Sequence, residues 1–184
     1  MQALTKAQRT APPEENTEQG QYLTFLLAGE TFAIGISGVK EIIEYGDLTT
    51  VPMMPEFIRG VINLRGSVVP VVDLAARFGK KTSTVTKRTC IVIIEVESMD
   101  EKQDVGMMVD AVSAVLEIPQ SEIEPAPTFG ARIRTDFIDG MGKVKGKFVI
   151  ILNVDHVLSI EEMAEMALVA TTGQVEMAAP PGTS

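Results

Sequence analysis

The chain of 184 residues has no tryptophan, one cysteine, one histidine and only 5% aromatic residues, and each shortage removes a class of explanation. A single cysteine, Cys90, cannot form an internal disulfide, which agrees with a reducing compartment. It lies inside the apolar run TCIVII and reads as a buried strand residue. With His156 alone, and without CxxC, HxxxH or an EF-hand loop, the sequence offers no standard zinc or calcium ligand set, and no metal or cofactor is expected. The aliphatic runs, such as FVIIL at Phe148 to Leu152, are too short to cross a bilayer. The N-terminal MQALTKAQRTAPPEENTEQG lacks the continuous apolar stretch of a secretory signal. These features predict a cytoplasmic protein that does not insert into membranes. Basic residues are outnumbered by acidic ones, 16 to 25, and the net charge of -9 disfavours nucleic acid and anionic lipid as partners. A protein partner or a small ligand is favoured instead.

What is present is a globular composition, 45% hydrophobic, whose core must come from Val, Ile, Leu and Met, as suits a small all-β protein. Residues 1–19 are polar and residues 169–184 small and proline-rich, so both are expected to be flexible tails around a folded block, 20–168. Strands are expected at Tyr22 to Leu27 and Phe32 to Ile36, joined by the hairpin loop AGET. Further strands are expected at Val61 to Leu64, Val68 to Asp73, Thr89 to Val96, Val105 to Val109, Val115 to Ile118 and Lys147 to Asn153. ESMDEKQD reads as a charged hairpin tip. Near the end, Ser159 and Glu162 form an S-x-x-E capping box, with Ile160, Met163, Ala164 and Ala167 at helical spacing behind it.

One stretch occurs twice. EFIRGVINLRGSVVPVVDL (56–74) aligns without a gap on DFIDGMGKVKGKFVIILNV (136–154). The alignment places Phe57 on Phe137, Gly60 on Gly140, Arg65 on Lys145, Gly66 on Gly146 and Asp73 on Asn153. Upstream, Ile43, Leu48 and Pro52 recur with the spacing of Ile118, Ile123 and Pro127. A duplicated unit of roughly 60 to 80 residues is too small for a generous core of its own, which predicts two small barrels packed together. The paired glycines fit tight turns or positive φ, with a charge at the corner between them.

Candidates for chemistry are few. Asp155 beside His156 has half the composition of a catalytic dyad, against a solvent-facing histidine at a helix start. Cys90 and His156 form another candidate pair, against an inert buried thiol. GMGKVKGK (140–147) is glycine-rich, but it matches neither phosphate-binding pattern and precedes a strand, so a turn is the better reading. Asp73 and Asp110 form a carboxylate pair or cap turns. Met53-Met54 and Met107-Met108 serve as adaptable binding surface or as core, and only the exposed member of each pair would count as surface.

Arg65 is the residue that stands out, a permanent charge in an apolar hairpin. An unpaired buried guanidinium is very costly, so it must reach water, a carboxylate or a partner. The motif GVINLRGSVVPVVDLAARFG, preceded by VKEIIEY and PEFIRG and followed by VGMMVDAVSAVLEI, EIEPAP and FIDGMGKVKGKFVIILNV, resembles the CheW family of bacterial chemotaxis adaptors from about Gln21 to Leu168. The resemblance implies two intertwined five-stranded SH3-like barrels with a short C-terminal helix, and no enzymatic activity. It also implies coupling of methyl-accepting chemoreceptor tips to the regulatory domain of the histidine kinase CheA, in arrays at the membrane. Val39, Glu41 and Arg65 resemble coupling positions of the family. With them go Gly60, Asn63, Leu64 and Gly66, and a Glu41–Arg65 ion pair is expected to fix the arginine at the edge of a groove. The alternatives are the same fold in a non-chemotactic signalling array, or a small-molecule-binding β-barrel.

Overall fold

The computed structural model describes residues 20–98, 100–126 and 134–165. The expected tails lie outside these residues, as do Pro127 and Ala167. The chain runs through β1 (Gln21–Leu27), β2 (Glu30–Gly35), β3 (Val39–Glu44), β4 (Ile58–Leu64), β5 (Ser67–Asp73) and α1 (Leu74–Arg77). It continues through β6 (Cys90–Ser98), β7 (Glu101–Val109), β8 (Ala111–Glu117), β9 (Ile123–Glu124), β10 (Ile138–Val144), β11 (Lys147–Leu152) and α2 (Val154–Val157). Residues 160–165 are helical.

Three hairpins turn on two residues that both have positive φ: Ala28-Gly29, Arg65-Gly66 and Lys145-Gly146. This is the turn whose twist matches that of the strands it joins, and glycine occupies the second place each time. The AGET loop is therefore tighter than expected, because Thr31 and Glu30 already pair with Leu26 and Leu27. The charged tip between β6 and β7 is likewise mostly strand, with pairing continuing to Ser98 and Glu101. Three strands go beyond the sequence expectation, the two-residue β9 among them. β3 is short and only half-buried, and β10 carries Gly140 and Gly142, so neither shows a continuous apolar signal.

The strands form two sheets with one plan. The five-stranded sheet is ordered β3-β6-β7-β5-β4, and the six-stranded sheet β8-β1-β2-β11-β10-β9. In each, a parallel contact (β5 on β7, β11 on β2) joins two antiparallel hairpins. The N-terminal hairpin thus pairs with the C-terminal one, and the middle of the chain builds the other sheet, which is the intertwining expected of two SH3-like barrels. The second barrel has six strands in place of the expected five because β9, only two residues long, pairs with β10.

The duplication is legible atom by atom. Asp73 N–H donates to Phe57 O at 2.7 Å, and Asn153 N–H donates to Phe137 O at the same distance. Asp73 caps α1 and Asn153 caps α2. The β4–β5 and β10–β11 ladders slip at the same place, before Gly60 and before Gly140. The upstream match holds at Leu48 and Ile123, since the next residues, Thr49 and Glu124, face the repeat-equivalent Val61 and Met141, but it needs correcting at Ile43. Strand registers place Ile43 on Leu116 and Tyr45 on Ile118, a shift of two residues from the sequence spacing, and the turn around Gln120–Glu122 absorbs it.

Three apolar clusters follow from this plan. Val69, Val71, Ile91, Ile93 and Met108 fill the first barrel, and Ala33, Ile118, Val149 and Ile151 the second. The largest cluster lies between them and draws Phe25, Phe32 and Ile34 from one sheet and Val92, Ile94 and Met107 from the other. In β2, Phe32 and Ile34 face this shared core while Ala33 faces the second barrel, so the alternation expected of FAIGI separates two interiors. Met107 and Met108 are both buried and Met53 and Met54 both exposed, so neither pair splits as expected. Cys90 is half-buried at the first position of β6, not sealed in a core, and its S–H donates to Arg88 O at 3.3 Å. The capping box is half formed. Ser159 Oγ accepts from Glu162 N–H at 3.2 Å, but the Glu162 carboxylate turns away to two arginines.

Candidate functional site

The residue positions singled out in the first barrel converge where its sheet closes on itself. β3 and β4 are the two ends of the five-stranded order, yet Thr49 bridges Val61, and Ile43, Tyr45, Leu48, Ile62 and Leu64 from both ends pack on one cluster. Glu41, on β3, and Arg65, in the turn after β4, fasten the same closure. Arg65 Nη1 donates to Glu41 Oε2 at 2.5 Å and Nη2 to Oε1 at 2.9 Å, a bidentate fork. The hydrogen bond and charge of Arg65 hold the Glu41 carboxyl below its ordinary range, and Glu41 raises the guanidinium in turn.

Each neighbour has a mechanical reason to be there. Gly66, at φ +88°, completes the turn, and its N–H donates to Asn63 Oδ1 at 2.9 Å. Leu64 anchors the end of β4 in the barrel cluster. Gly60 is not in a turn. It sits at the ladder slip with φ +153°, and a Cβ there would lie 2.5 Å from Thr49 O, so the bridge that closes the sheet requires a glycine. Val39 departs from the group. The β3 ladder slips between Val39 and Glu41, so Val39 pairs with Ile94 on the shared-core face and Glu41 with Ile93 on the barrel face. Lys40, in the slip, reaches Asp104 at 3.2 Å and Glu95 at 3.9 Å. The arginine itself stands out, with 72% of its side chain exposed, while Glu41 is more covered at 27%. A half-covered carboxylate thus orients an outward cation.

A second polar cluster was not legible in the sequence. Arg77, at the end of α1, is buried in the shared core between the repeat-equivalent rings of Phe57 and Phe137, 5.1 and 4.8 Å from their centroids. Its Nε donates to Val157 O at 2.8 Å and its Nη2 to Glu162 at 3.0 Å. Glu162 also accepts from Arg134, which stacks on Phe137 and pairs with Asp136. These bonds, from Arg134 first and Arg77 after it, hold the Glu162 carboxyl below its ordinary range. The signal was an arginine inside LAARF, but nothing local marks it as buried.

The candidates for chemistry separate. Asp73 accepts from Ala75 and Ala76 N–H and from Ser83, and Asp110 from Ala28 N–H, so both cap turns. His156 is exposed and its Nδ1 lies 2.8 Å from Asp136 O, whereas Cys90 Sγ points to Arg88 O. The run 140–147 is β10, a turn and the start of β11.

Comparison with known proteins agrees with this architecture. Residues 21–162 match the model of the CheW-like domain. The chain is 34% identical over 144 residues to a chemotaxis protein CheW of Klebsiella aerogenes, covering 78% of this chain and 84% of that one. It is 35% identical over 140 residues to a chemotaxis protein CheW of Bacillus subtilis, covering 76% and 86%. The crystal structure of the scaffolding protein TtCheW from Thermoanaerobacter tengcongensis superposes with a TM-score of 0.68 at 36% identity, over 76% of this chain and 87% of that one.

Proposed function

Since the chain belongs to the CheW-like family, we propose that it is a non-enzymatic cytoplasmic adaptor. In this reading it couples chemoreceptor signalling tips to the regulatory domain of the kinase CheA in arrays recruited to the membrane. The observation that carries the reading is the fastened edge of the first barrel, an exposed guanidinium locked by a bidentate carboxylate at the seam where the sheet closes. A free surface lysine or arginine samples many rotamers. One held by a fork presents its remaining N–H groups in a fixed direction, at lower entropic cost to a partner.

A groove between the barrels accepts the helical hairpin of the receptor, with Arg65 and Glu41 at its edge. The outer faces of the barrels meet the kinase domain through aliphatic contacts. Among the described residues, four of the seven exposed large hydrophobic ones support this division, because they are repeat equivalents: Ile42 with Val115 and Val68 with Phe148. Each barrel therefore presents the same outward apolar pattern, as a bridging molecule requires. Signal passes as a change of relative geometry, with no bond made or broken.

A pull-down with a receptor signalling tip and the kinase regulatory domain tests the reading. Arg65→Glu places two carboxylates together and is expected to lose receptor binding and kinase activation. Glu41→Lys is expected to do the same, and the double exchange to recover part of both. Wild-type coupling by both single variants would refute the proposal.

A further inference from the structure

Both barrels carry a cation in the same hairpin turn, but among the described residues only one supplies it with a carboxylate. Strand registers fix the equivalence. In the first barrel Glu41 pairs with Ile93, Ile93 with Gly106 and Gly106 with Val71. In the second, Ala114 pairs with Thr24, Thr24 with Ala33 and Ala33 with Ile151. Val71 and Ile151 hold the same place in the repeated hairpin, so Glu41 corresponds to Ala114. The ladder slips agree, falling beside Glu41 in β3 and beside Ala114 in β8. On this register VKEIIE (39–44) lies over VSAVLE (112–117).

The consequence is chemical. Arg65 and Lys145 share a left-handed turn position, φ +52° and +53°. Arg65 meets Glu41, but the residue that would meet Lys145 is an alanine, whose methyl group accepts nothing. Among the described residues Lys145 has no hydrogen bond or ion pair. Beside it opens a cleft of about 520 Å³ whose lining includes Leu116, Met141, Val144, Lys147 and Phe148, with Glu30 also on its wall but paired to Lys80 at 3.5 Å. Phe148 is 51% exposed there.

We propose that this mouth of the second barrel docks a protein segment carrying a carboxylate beside an apolar side chain. The carboxylate makes on Lys145 the pair that Glu41 makes on Arg65, and the apolar group lies along Phe148 and Leu116. The proposal rests on the adaptor reading for its choice of a protein occupant, and it gives one partner a chemistry. A small anion would engage Lys145 and Lys147 but leave the phenyl ring and Met141 in water, so the lining favours a protein segment. An exposed ion pair contributes little on its own, so the aromatic anchor supplies affinity and the lysine sets register.

Lys145→Glu, Lys145→Arg and Phe148→Ser are exposed substitutions, and their circular dichroism is expected to match that of the wild type. Each is titrated calorimetrically against the receptor tip and against the kinase regulatory domain, with Arg65→Glu alongside. The expected result is that Lys145→Glu and Phe148→Ser weaken one and the same partner by about tenfold or more while Lys145→Arg does not. Carbodiimide treatment of the wild-type complex is expected to join Lys145 or Lys147 to an acidic residue of that partner. If both variants bind both partners like wild type while Arg65→Glu is impaired, this site is overturned and the adaptor reading stands. If all the variants bind like wild type, or the wild type binds neither partner, both fall. Self-association abolished by Lys145→Glu with partner binding unchanged assigns the cleft to a second copy and overturns the proposal. Saturable pyrophosphate binding with partner binding unchanged overturns it equally.

Discussion

At the scale of single residues, the glycines of the repeated hairpin separate into two kinds. Gly66 has positive φ and open space around it, so alanine there is expected to cost only about 1 kcal/mol of backbone strain. Gly60 combines φ +153° with a backbone oxygen 2.5 Å from any Cβ, and that oxygen belongs to the bridge closing the barrel. Gly60→Ala is therefore expected to cost about 3 kcal/mol or more, read as a lowered denaturation midpoint, with Gly66→Ala the milder of the two. Sequence alone places both glycines and the charge between them, because turn chemistry is local. It does not tell which glycine turns the chain and which admits a neighbour, since Thr49 arrives from eleven residues away. The Glu41–Arg65 pair follows from the family resemblance, whereas Val39 falls on the other face because a ladder slip leaves no mark in composition.

At the scale of elements, the helical residues 160–165 are fastened chiefly by the side chain of Glu162 and by Met163, which is buried against the shared core. The folded-state carboxyl of Glu162 titrates below its ordinary value of 4.5, so the unfolded chain takes up its proton first as pH falls. The stabilisation is complete above the ordinary carboxylate range and is lost as pH drops through the lower folded value. Glu162→Gln is expected to be less stable at pH 7 and to lose less stability between pH 5 and pH 3, as read by urea midpoints across that window. Asp136 and Glu41, lowered in the same direction, keep part of the acid slope in place. The capping box marked where this helix starts, but Glu162 serves tertiary partners more than its own helix, and those partners lie 28 and 85 residues away. The strands with continuous β-branched runs were legible for the opposite reason, since burial on both sides writes itself into composition. β10, with two glycines, was not.

At the scale of the whole molecule, the two barrels meet over Arg77, a guanidinium clasped between two phenyl rings that the duplication makes equivalent. Arg77→Ala leaves Val157 O without that donor and opens a void beside both rings. An expected loss of about 3 kcal/mol or more, measured by chemical denaturation, follows from breaking a buried charged contact. Arg77→Met fills the volume without the donor and is expected to lose less. The duplication announced two barrels, but the site where they share a charge could be seen only once the copies were in contact.

The crossed arrangement also has a consequence in time. Ala33 lies beside Ile151, so a ribosome must add 118 residues after Ala33 before its lateral neighbour exists. At elongation speeds of about 5–20 residues per second, that is an interval on the order of ten seconds. Through it the first hairpin waits with one edge unpaired, while the middle of the chain has everything needed to complete its own sheet. Nascent chains arrested before Lys147 should therefore protect β3 to β7 from proteolysis and leave Gln21–Gly35 open to cleavage.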